Sequence, residues 1–275
     1  MYKPTDYKPN YDFVLKSSRR KYECPPKTYD GYIDIDIFTD SPLHIGTGGK
    51  IFVYGDKILV REIVRYDGQP VIPGSSFKGT IRQIAEAVSD SCVSKSKDNN
   101  IPKCTVKSNY TDKCIVCDMF GTMNWRSKVI FPDFKAYDVR TEILKCNSQY
   151  QPKKEKTGYY KFYKAAERQE KYILKKRIMI EAVKKDSVFS GKILFKDLSE
   201  EQLSLLMFSL GLDKNNPIVI KLGGHKNEGL GDIYIETVEF KCKGLGKTPA
   251  DLAAQYERMN SASPKAIKIL RNILK

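Results

Sequence analysis

Residues Tyr32 to Ile37 alternate strictly between isoleucine and aspartate after the opening tyrosine. Successive side chains of a β-strand point to opposite faces of a sheet, so the pattern predicts a half-buried strand that ends at Ser41-Pro42. A turn rich in glycine follows, and residues 51–54 and 58–64 then have the pattern of a hairpin. The chain therefore begins its folded part with antiparallel strands.

The order of the later elements favours an α+β fold. A helix is predicted from Ser75 or Ser76, which are both good N-caps, and Ser199 opens a capping box before a second helix that stops at Gly211. Strands over 218–222 and 232–242 and a last helix after Ser263-Pro264 complete the pattern. This order of elements, strand, helix, strand, then helix and strand, fits a ferredoxin-like domain better than a doubly wound sheet.

The net charge points to a polyanionic partner. The chain has 48 Lys and Arg against 33 Asp and Glu, a formal charge of +15. Such an imbalance costs self-repulsion unless a polyanion lies against the surface, so nucleic acid is the first partner to consider. There is no uninterrupted apolar stretch near the roughly 18 residues of a membrane span. The amino terminus lacks the apolar region of a secretory signal, so we expect a cytoplasmic protein with no membrane partner.

Composition divides the chain into an arm and one decorated domain. Residues 1–30 hold five tyrosines and four prolines without periodicity, which predicts an extended arm, and residues 31–275 form the domain. Two polar insertions interrupt that domain, at about 89–125 and at 145–177. The second insertion holds eleven Lys or Arg, three Glu and six Tyr or Phe, and we expect it to project from the domain as a basic, thumb-like excursion.

The first insertion is a candidate zinc site. Cys114-x-x-Cys117 has the spacing of the tight half of such a site, and Cys92 and Cys104 lie in the same polar segment as further candidate ligands. A loop this polar has no apolar core to order it, and a structural Zn²⁺ would supply that order. Isolated cysteines, either buried or exposed to solvent, are the alternative.

Two further patterns suggest phosphate binding. Ser75 and Ser76 lie at a predicted helix N-terminus, with Lys78 and Arg82 one turn apart, and this arrangement is equally consistent with a phosphate-binding end or with an ordinary capped helix. Four glycines within 222–231 form a loop that either approaches a phosphate closely or makes a tight turn.

The two histidines of the chain, His44 and His225, fall next to these glycine-rich stretches. One interpretation makes them a general acid and base for the attack of a 2′-hydroxyl on phosphate. The other interpretation, which we favour, is that each histidine orients its loop by hydrogen bonding.

Four motifs, in this order, resemble the CRISPR RAMP superfamily. They are L-H-I-G at 43–46, I-P-G-S-S-x-K-G-x-x-R at 72–82, C-I-V-C-D-M-F-G at 114–121 and G-G-x-x-x-x-G-L-G at 223–231. Within that superfamily the chain looks most like the repeated backbone subunit of type III complexes. The resemblance implies a modified ferredoxin-like (RRM-like) domain with a zinc-binding insertion and a thumb-like insertion. It also implies copies of the chain and other RAMP subunits assembled along a CRISPR RNA, which is presented to a complementary target RNA.

The resemblance also implies site residues. We expect RNA contacts from His44, Ser75, Ser76, Lys78, Arg82, Arg126, Tyr159, Tyr160, Lys161, His225 and Lys226. Type III backbone subunits cut target RNA with an acidic residue between the first two motifs, where the candidates here are Asp56, Glu62 and Asp67. Asp56 fits best, because it lies at a hairpin turn and could hold a divalent metal such as Mg²⁺ near the scissile phosphate.

Three alternatives remain open from the sequence. The chain could be a capping subunit or a divergent backbone paralogue, since the arm is longer than such a subunit usually carries and 145–177 is unusually rich in Lys and Tyr. It could be a non-catalytic RAMP scaffold. It could also be an endoribonuclease that matures CRISPR RNA by cutting repeats with His44 or His225.

Overall fold

The computed structural model describes residues 10–16, 18–53, 58–92, 104–107, 110–137, 139–148, 158–165 and 177–275. Within them the strands are β1 (Tyr11–Leu15), β2 (Tyr29–Thr39), β3 (Gly46–Val53), β4 (Ile58–Ile63), β5 (Arg65–Tyr66), β6 (Gln69–Ile72), β7 (Thr105–Lys107), β8 (Tyr110–Asp112), β9 (Val129–Ile130), β10 (Phe134–Ala136), β11 (Thr141–Asn147), β12 (Tyr159–Tyr163), β13 (Arg177–Val183), β14 (Val188–Leu198), β15 (Ile220–Lys221) and β16 (Asp232–Cys242). The α-helices are α1 (Gly74–Val88), α2 (Ile115–Phe120), α3 (Glu200–Ser209), α4 (Pro249–Gln255) and α5 (Pro264–Ile273).

The largest sheet has the alternating segment in its middle. Its strand order is β15-β16-β2-β14-β10-β6-β5, with β9 paired beside β14, and every pairing in it is antiparallel. Ile33, Ile35 and Ile37 of β2 are fully buried, whereas Asp34 and Asp36 lie on the opposite face. The predicted half-buried strand is confirmed, and it is longer at both ends than the alternation alone indicates.

The five helices cover the apolar face of this sheet. Side chains of α1, α2, α3, α4 and α5 all belong to the same buried cluster as the isoleucines of β2. The helix that follows Ser199 is confirmed together with its capping box, in which the Ser199 hydroxyl accepts from Gln202 N and the Gln202 side chain accepts from Ser199 N. The architecture is a mixed α+β fold compatible with the ferredoxin-like domain expected from the sequence. Among the described residues no helix is long and apolar enough to cross a membrane.

A second sheet carries the hairpin predicted after the first strand. Its order is β11-β13-β4-β3, with β4 and β13 parallel and the other pairs antiparallel. The strand β3 begins at Gly46, several residues earlier than the pattern predicts. A small apolar core of its own lies against this sheet and consists of Leu144, Cys146, Ile180, Ala182 and Leu230.

Parts of the expected arm and of the basic insertion pair with each other. The strands β1 and β12 form an antiparallel ribbon, and Val14, Tyr160 and Phe162 from it are buried in the main core. The extended arm and the thumb-like excursion expected from the sequence are therefore tied to the domain at these strands, through Val14 of β1 and the alternate residues Tyr160 and Phe162 of β12. Residues 1–9, 149–157 and 166–176 lie outside the described residues.

The first turn of α1 differs from the sequence expectation. Pro73 occupies the N-cap position, and Ser75 and Ser76 lie inside the first turn, so neither serine caps the helix. The backbone N–H of Gly74 instead donates to the Asp133 carboxylate at 2.8 Å. The cap therefore comes from a residue 59 positions away, which no local pattern at the helix start indicates.

Asp133→Ala should lower the free energy of unfolding by about 1 kcal/mol, because it leaves an N–H of the first turn of α1 without its acceptor. Ser75→Ala is the matched control and should change stability by less than about 0.5 kcal/mol, since its exposed side chain makes no capping bond. Urea unfolding monitored by circular dichroism measures both. A larger loss in Ser75→Ala than in Asp133→Ala would contradict the assignment of the cap.

Candidate functional site

An open cleft of about 470 Å³ lies where the start of β3 meets the late glycine loop. Its lining residues are His44, Gly46, Gly48, Gly49, Lys50, Arg61, Glu62, Gly224 and His225. The first and last of the four motifs, about 180 positions apart in the chain, thus share one cavity wall. The two middle motifs do not contribute to this lining.

Close backbone contact holds the two motifs together. Gly224 N donates to His44 O at 2.8 Å. Gly223 has φ +81°, and a Cβ placed there would lie 2.4 Å from His44 O. Only glycine combines this conformation with this approach, so the glycine loop is fitted to the backbone of the L-H-I-G motif.

The structure brings the two histidines together, with ring centroids 6.0 Å apart. The ring of His44 is buried and its Nδ1 lies 2.6 Å from Glu181 O. A carbonyl oxygen can only accept, so Nδ1 carries the hydrogen and Nε2 is left with its lone pair. Burial lowers the pKa of His44, and the nearby His225 acts in the same direction, whereas the Glu181 carbonyl opposes them. His44 is therefore a neutral hydrogen-bond acceptor in the cleft wall.

His225 has a different partner. Its Nδ1 lies 3.1 Å from Glu228 Oε1, and Glu228 Oε2 in turn accepts from Asn147 N at 3.0 Å. His225 has φ +55°, in the left-handed region that non-glycine residues seldom occupy. The backbone of the loop is thus strained at the residue whose ring lies in the cleft. Strained backbone of this kind is often found at functional sites.

The mouth of the cleft is cationic. Lys50 and Arg61 are opposite each other in the β3–β4 register, and both are exposed. Glu62 adds one carboxylate, which accepts from Thr47 Oγ1 at 3.0 Å. Two cations and one carboxylate give the lining a net positive charge suited to a phosphate chain.

Lys50 and Arg61 were not among the residues expected from the sequence. Arg61 lies at an outward position of a strand whose Val60 and Ile63 are buried, and Lys50 precedes the predicted hairpin. The signal that could have found them is the period of two in the hairpin, which places one cation on each strand beside the glycine turn.

The structure places Lys78 and Arg82, the cations of the α1 motif, in contacts inside the protein. Arg82 donates from Nε to Glu86, from Nη1 to Gly121 O and from Nη2 to Cys117 Sγ, so all three of its nitrogens have partners inside the protein. Lys78 Nζ is half-buried and donates to Ser127 Oγ at 2.8 Å. Burial and the neighbouring Arg82 lower the pKa of Lys78. Both cations hold the domain together and neither lines the cleft.

The other expected RNA contacts fall at several places. Tyr160 is buried and its hydroxyl donates to Glu86 Oε2 at 3.0 Å, so it is a core residue and its ring cannot stack on a base. Lys161 Nζ lies 3.7 Å from the centroid of the Tyr11 ring, and Tyr159 is half-buried. The remaining expected residues are Arg126, which is exposed, Lys226, which is half-buried, and Asp56, which lies outside the described residues.

The four cysteines of the first insertion meet in one cluster. The sulfurs of Cys92, Cys104, Cys114 and Cys117 all lie within 4.8 Å of one another, and none of the four forms a disulfide. Two of the sulfur pairs, Cys92–Cys117 and Cys92–Cys114, are 3.3 and 3.9 Å apart. The edges of a tetrahedral four-thiolate site with 2.3 Å bonds are about 3.8 Å long, so the cluster could hold a metal ion.

Two arginines stabilise negative charge on this cluster. Arg82 Nη2 donates to Cys117 Sγ at 3.5 Å. Burial acts to lower the pKa of Arg19, but hydrogen bonds with Asp112 and Cys104 outweigh it and the net shift is upward. Permanent cations beside sulfur favour thiolates, which are the form that binds metal.

Comparison with known proteins identifies the family of this chain. A model of the RAMP superfamily matches residues 36–233, well over half of the chain, and this range contains both cleft motifs and the cysteine cluster. No curated protein matches the sequence. The chain therefore belongs to the RAMP superfamily, which indicates a CRISPR-associated RNA-binding subunit.

Proposed function

We propose that this protein is a CRISPR RNA-binding backbone subunit of a type III interference complex and that the cleft holds the RNA backbone. The observation that supports this most directly is the pairing of Lys50 and Arg61 across the mouth of a cleft whose wall is built from the two glycine-rich motifs. Cations at adjacent strand positions can neutralise successive phosphates of a single strand. The partners in this proposal are CRISPR RNA, complementary target RNA, copies of this chain and other RAMP subunits.

His44 gives the cleft a means of preferring RNA to DNA. Its Nε2 is an acceptor close to Gly46, where a Cβ would lie only 2.9 Å away. A 2′-hydroxyl can donate to such a nitrogen, and a deoxyribose cannot. The described lining residues are mostly glycines, cations and imidazoles, with no set of amide side chains to read base edges, so binding should depend little on sequence.

Reversing both cations, Lys50→Glu/Arg61→Glu, should weaken binding of single-stranded RNA at least about tenfold at low salt and flatten the dependence of log K on log salt by about 1.4. The matched control is Lys265→Glu/Lys268→Glu on α5, which changes the net charge equally at exposed positions away from the cleft. Fluorescence anisotropy over a salt series measures both quantities. Equal losses in the two double variants would contradict a local phosphate contact and indicate general charge attraction only.

The cysteine cluster is proposed as a structural zinc site. Four sulfur donors that all lie within 4.8 Å of one another are the donor set that Zn²⁺ prefers, and the ion together with the flanking arginines would offset the negative charge of the thiolates. The cluster joins Cys92, which follows α1, to Cys114 and Cys117 at the start of α2. Zinc there would therefore fix the insertion to the main core.

Cys114→Ser/Cys117→Ser should lower the zinc content of the purified chain by about one equivalent and lower its melting temperature, because metal binding free energy contributes to folding. Cys24→Ser, at an exposed cysteine outside the cluster, is the control and should change neither value. Plasma mass spectrometry on protein purified without chelators gives the stoichiometry. An unchanged zinc content in the double variant would disprove the site.

Cleavage of target RNA is proposed to depend on Asp56. The described hairpin ends at the Val53–Ile58 pair, three residues along each strand from Lys50 and Arg61, so Asp56 follows directly on the strands that carry the cations. In the reaction the 2′-oxygen attacks the adjacent phosphorus, the bond to the 5′-oxygen breaks, and a 2′,3′-cyclic phosphate and a 5′-hydroxyl result. A divalent ion such as Mg²⁺ would neutralise charge at the scissile phosphate.

Asp56→Ala should abolish cleavage of complementary RNA by the assembled complex while leaving guide and target binding almost unchanged, since loss of a carboxylate also relieves repulsion with phosphate. Asp67→Ala is the control, because Asp67 has φ +49° in a tight turn and lies outside the cleft lining. Gel assays with added Mg²⁺ separate binding from cleavage. Full cleavage by the Asp56→Ala complex would overturn the role of Asp56 and leave this subunit as a scaffold or place catalysis elsewhere.

The second candidate function is maturation of CRISPR RNA by repeat cleavage, which the 6.0 Å separation of the two imidazoles favours. A neutral His44 could take the 2′-proton, and His225 could supply the proton for the leaving 5′-oxygen. The isolated chain would then cut free repeat RNA, and His44→Asn would stop it. Cleavage that requires a bound guide and a complementary target instead supports the first function.

A further inference from the structure

A second group of metal-binding side chains lies behind the cleft. Cys146 of β11 and the loop residues His225 and Glu228 each offer one donor atom, and these three atoms all lie within 4.8 Å of one another. None of the three belongs to the four-cysteine cluster. Cys146 is fully buried, and the side chains of His225 and Glu228 are 3% and 12% exposed.

The surrounding protein orients these donors. Glu228 Oε2 accepts from the backbone N of Asn147 at 3.0 Å and from its side-chain amide at 3.3 Å, while Oε1 faces His225. The left-handed conformation of His225 places its ring against both partners at the cost of backbone strain. Preorganised metal sites hold their ligands in place by hydrogen bonds to a ligating carboxylate and by a fixed orientation of a ligating ring.

We propose that Cys146, His225 and Glu228 bind one Zn²⁺-like divalent cation. A thiolate, an imidazole and a carboxylate are the sulfur, nitrogen and oxygen donors of zinc, whereas Mg²⁺ and Ca²⁺ take oxygen donors only. Thiolate and carboxylate together carry two negative charges, so a divalent ion makes this buried group electrically neutral. Zinc bonds of 2.0 to 2.3 Å separate ligand atoms by about 3.3 to 3.8 Å. His225 Nδ1 and Glu228 Oε1, 3.1 Å apart, are already close to this spacing, and the donor atoms of all three side chains lie within 4.8 Å of one another.

Binding at this position would act on the cleft through His225. The three ligands come from β11 and from the glycine loop, so the ion fastens the loop to the second sheet. It also replaces the hydrogen that His225 Nδ1 shares with Glu228, because ligands bind metal in their deprotonated forms. Three protein ligands leave a fourth position for water or for an oxygen of a molecule in the cleft.

The test is the metal stoichiometry of the full chain without RNA, so its outcome is independent of the proposed function. The chain is stripped with chelator, dialysed against Zn²⁺ and analysed by mass spectrometry, and we expect about two zinc ions per chain, one for each cluster. Cys146→Ser and Glu228→Gln should each lower this by about one. Cys242→Ser, at a half-buried cysteine outside both clusters, should leave it unchanged.

The combined variant Cys114→Ser/Cys146→Ser should lose both ions. In a second experiment, the variant Cys114→Ser/Cys117→Ser is titrated with Co²⁺ and should still show a thiolate-to-cobalt band. This band should disappear when Cys146→Ser is added to that variant. Circular dichroism identifies any variant that fails to fold. The presence or absence of the cobalt band in the variants that do fold then tests the site. A zinc content unaffected by Cys146→Ser and Glu228→Gln, or no cobalt band in the variant that keeps Cys146, would overturn the site.

Discussion

The cleft depends on one backbone contact, the approach of Gly223 and Gly224 to the carbonyl of His44. This contact closes a loop of about 180 residues, and the hydrogen bond of 2.8 Å from Gly224 N forms beside Gly223, where a Cβ would lie only 2.4 Å from His44 O. The same contact brings the loop of His225 beside His44, and the two ring centroids are 6.0 Å apart. Each motif alone would make an ordinary turn. The cleft therefore follows from the fit between the two motifs and not from the residue spacing within either of them.

The I-P-G-S-S-x-K-G-x-x-R motif has a different physical role from the one its composition suggests. A helix N-terminus attracts anions, but in α1 the Asp133 carboxylate already satisfies Gly74 N. Arg82 projects from the same helix to the buried Glu86 and to Cys117. The motif thus couples the first helix to the cysteine cluster, and the cations that line the cleft come from the second sheet.

Local periodicity accounts for the parts of the fold that the sequence predicted. The alternation in β2, the capping box of Ser199 and the strand Asp232–Cys242 are short-range patterns, and all were recovered. The failures involve partners distant in the chain. The cap of α1 comes from Asp133, and the buried position of Tyr160 follows from pairing between β1 and β12, which no local pattern encodes. The period of two in the hairpin marks Lys50 and Arg61 as outward-facing, but only the closed sheet shows that this face meets the glycine loop.

The two histidines are not chemically equivalent, because their Nδ1 atoms have different partners. His44 donates to a neutral carbonyl, which fixes its tautomer, and burial lowers the pKa of the ring even though that hydrogen bond acts in the opposite direction. His225 Nδ1 instead lies 3.1 Å from the Glu228 carboxylate, which can accept a hydrogen bond from the ring. The cleft consequently has one ring whose Nε2 can accept a hydrogen bond and one ring whose Nδ1 faces a carboxylate. In the proposed function the first ring accepts from a 2′-hydroxyl, which is the contact that would distinguish RNA from DNA.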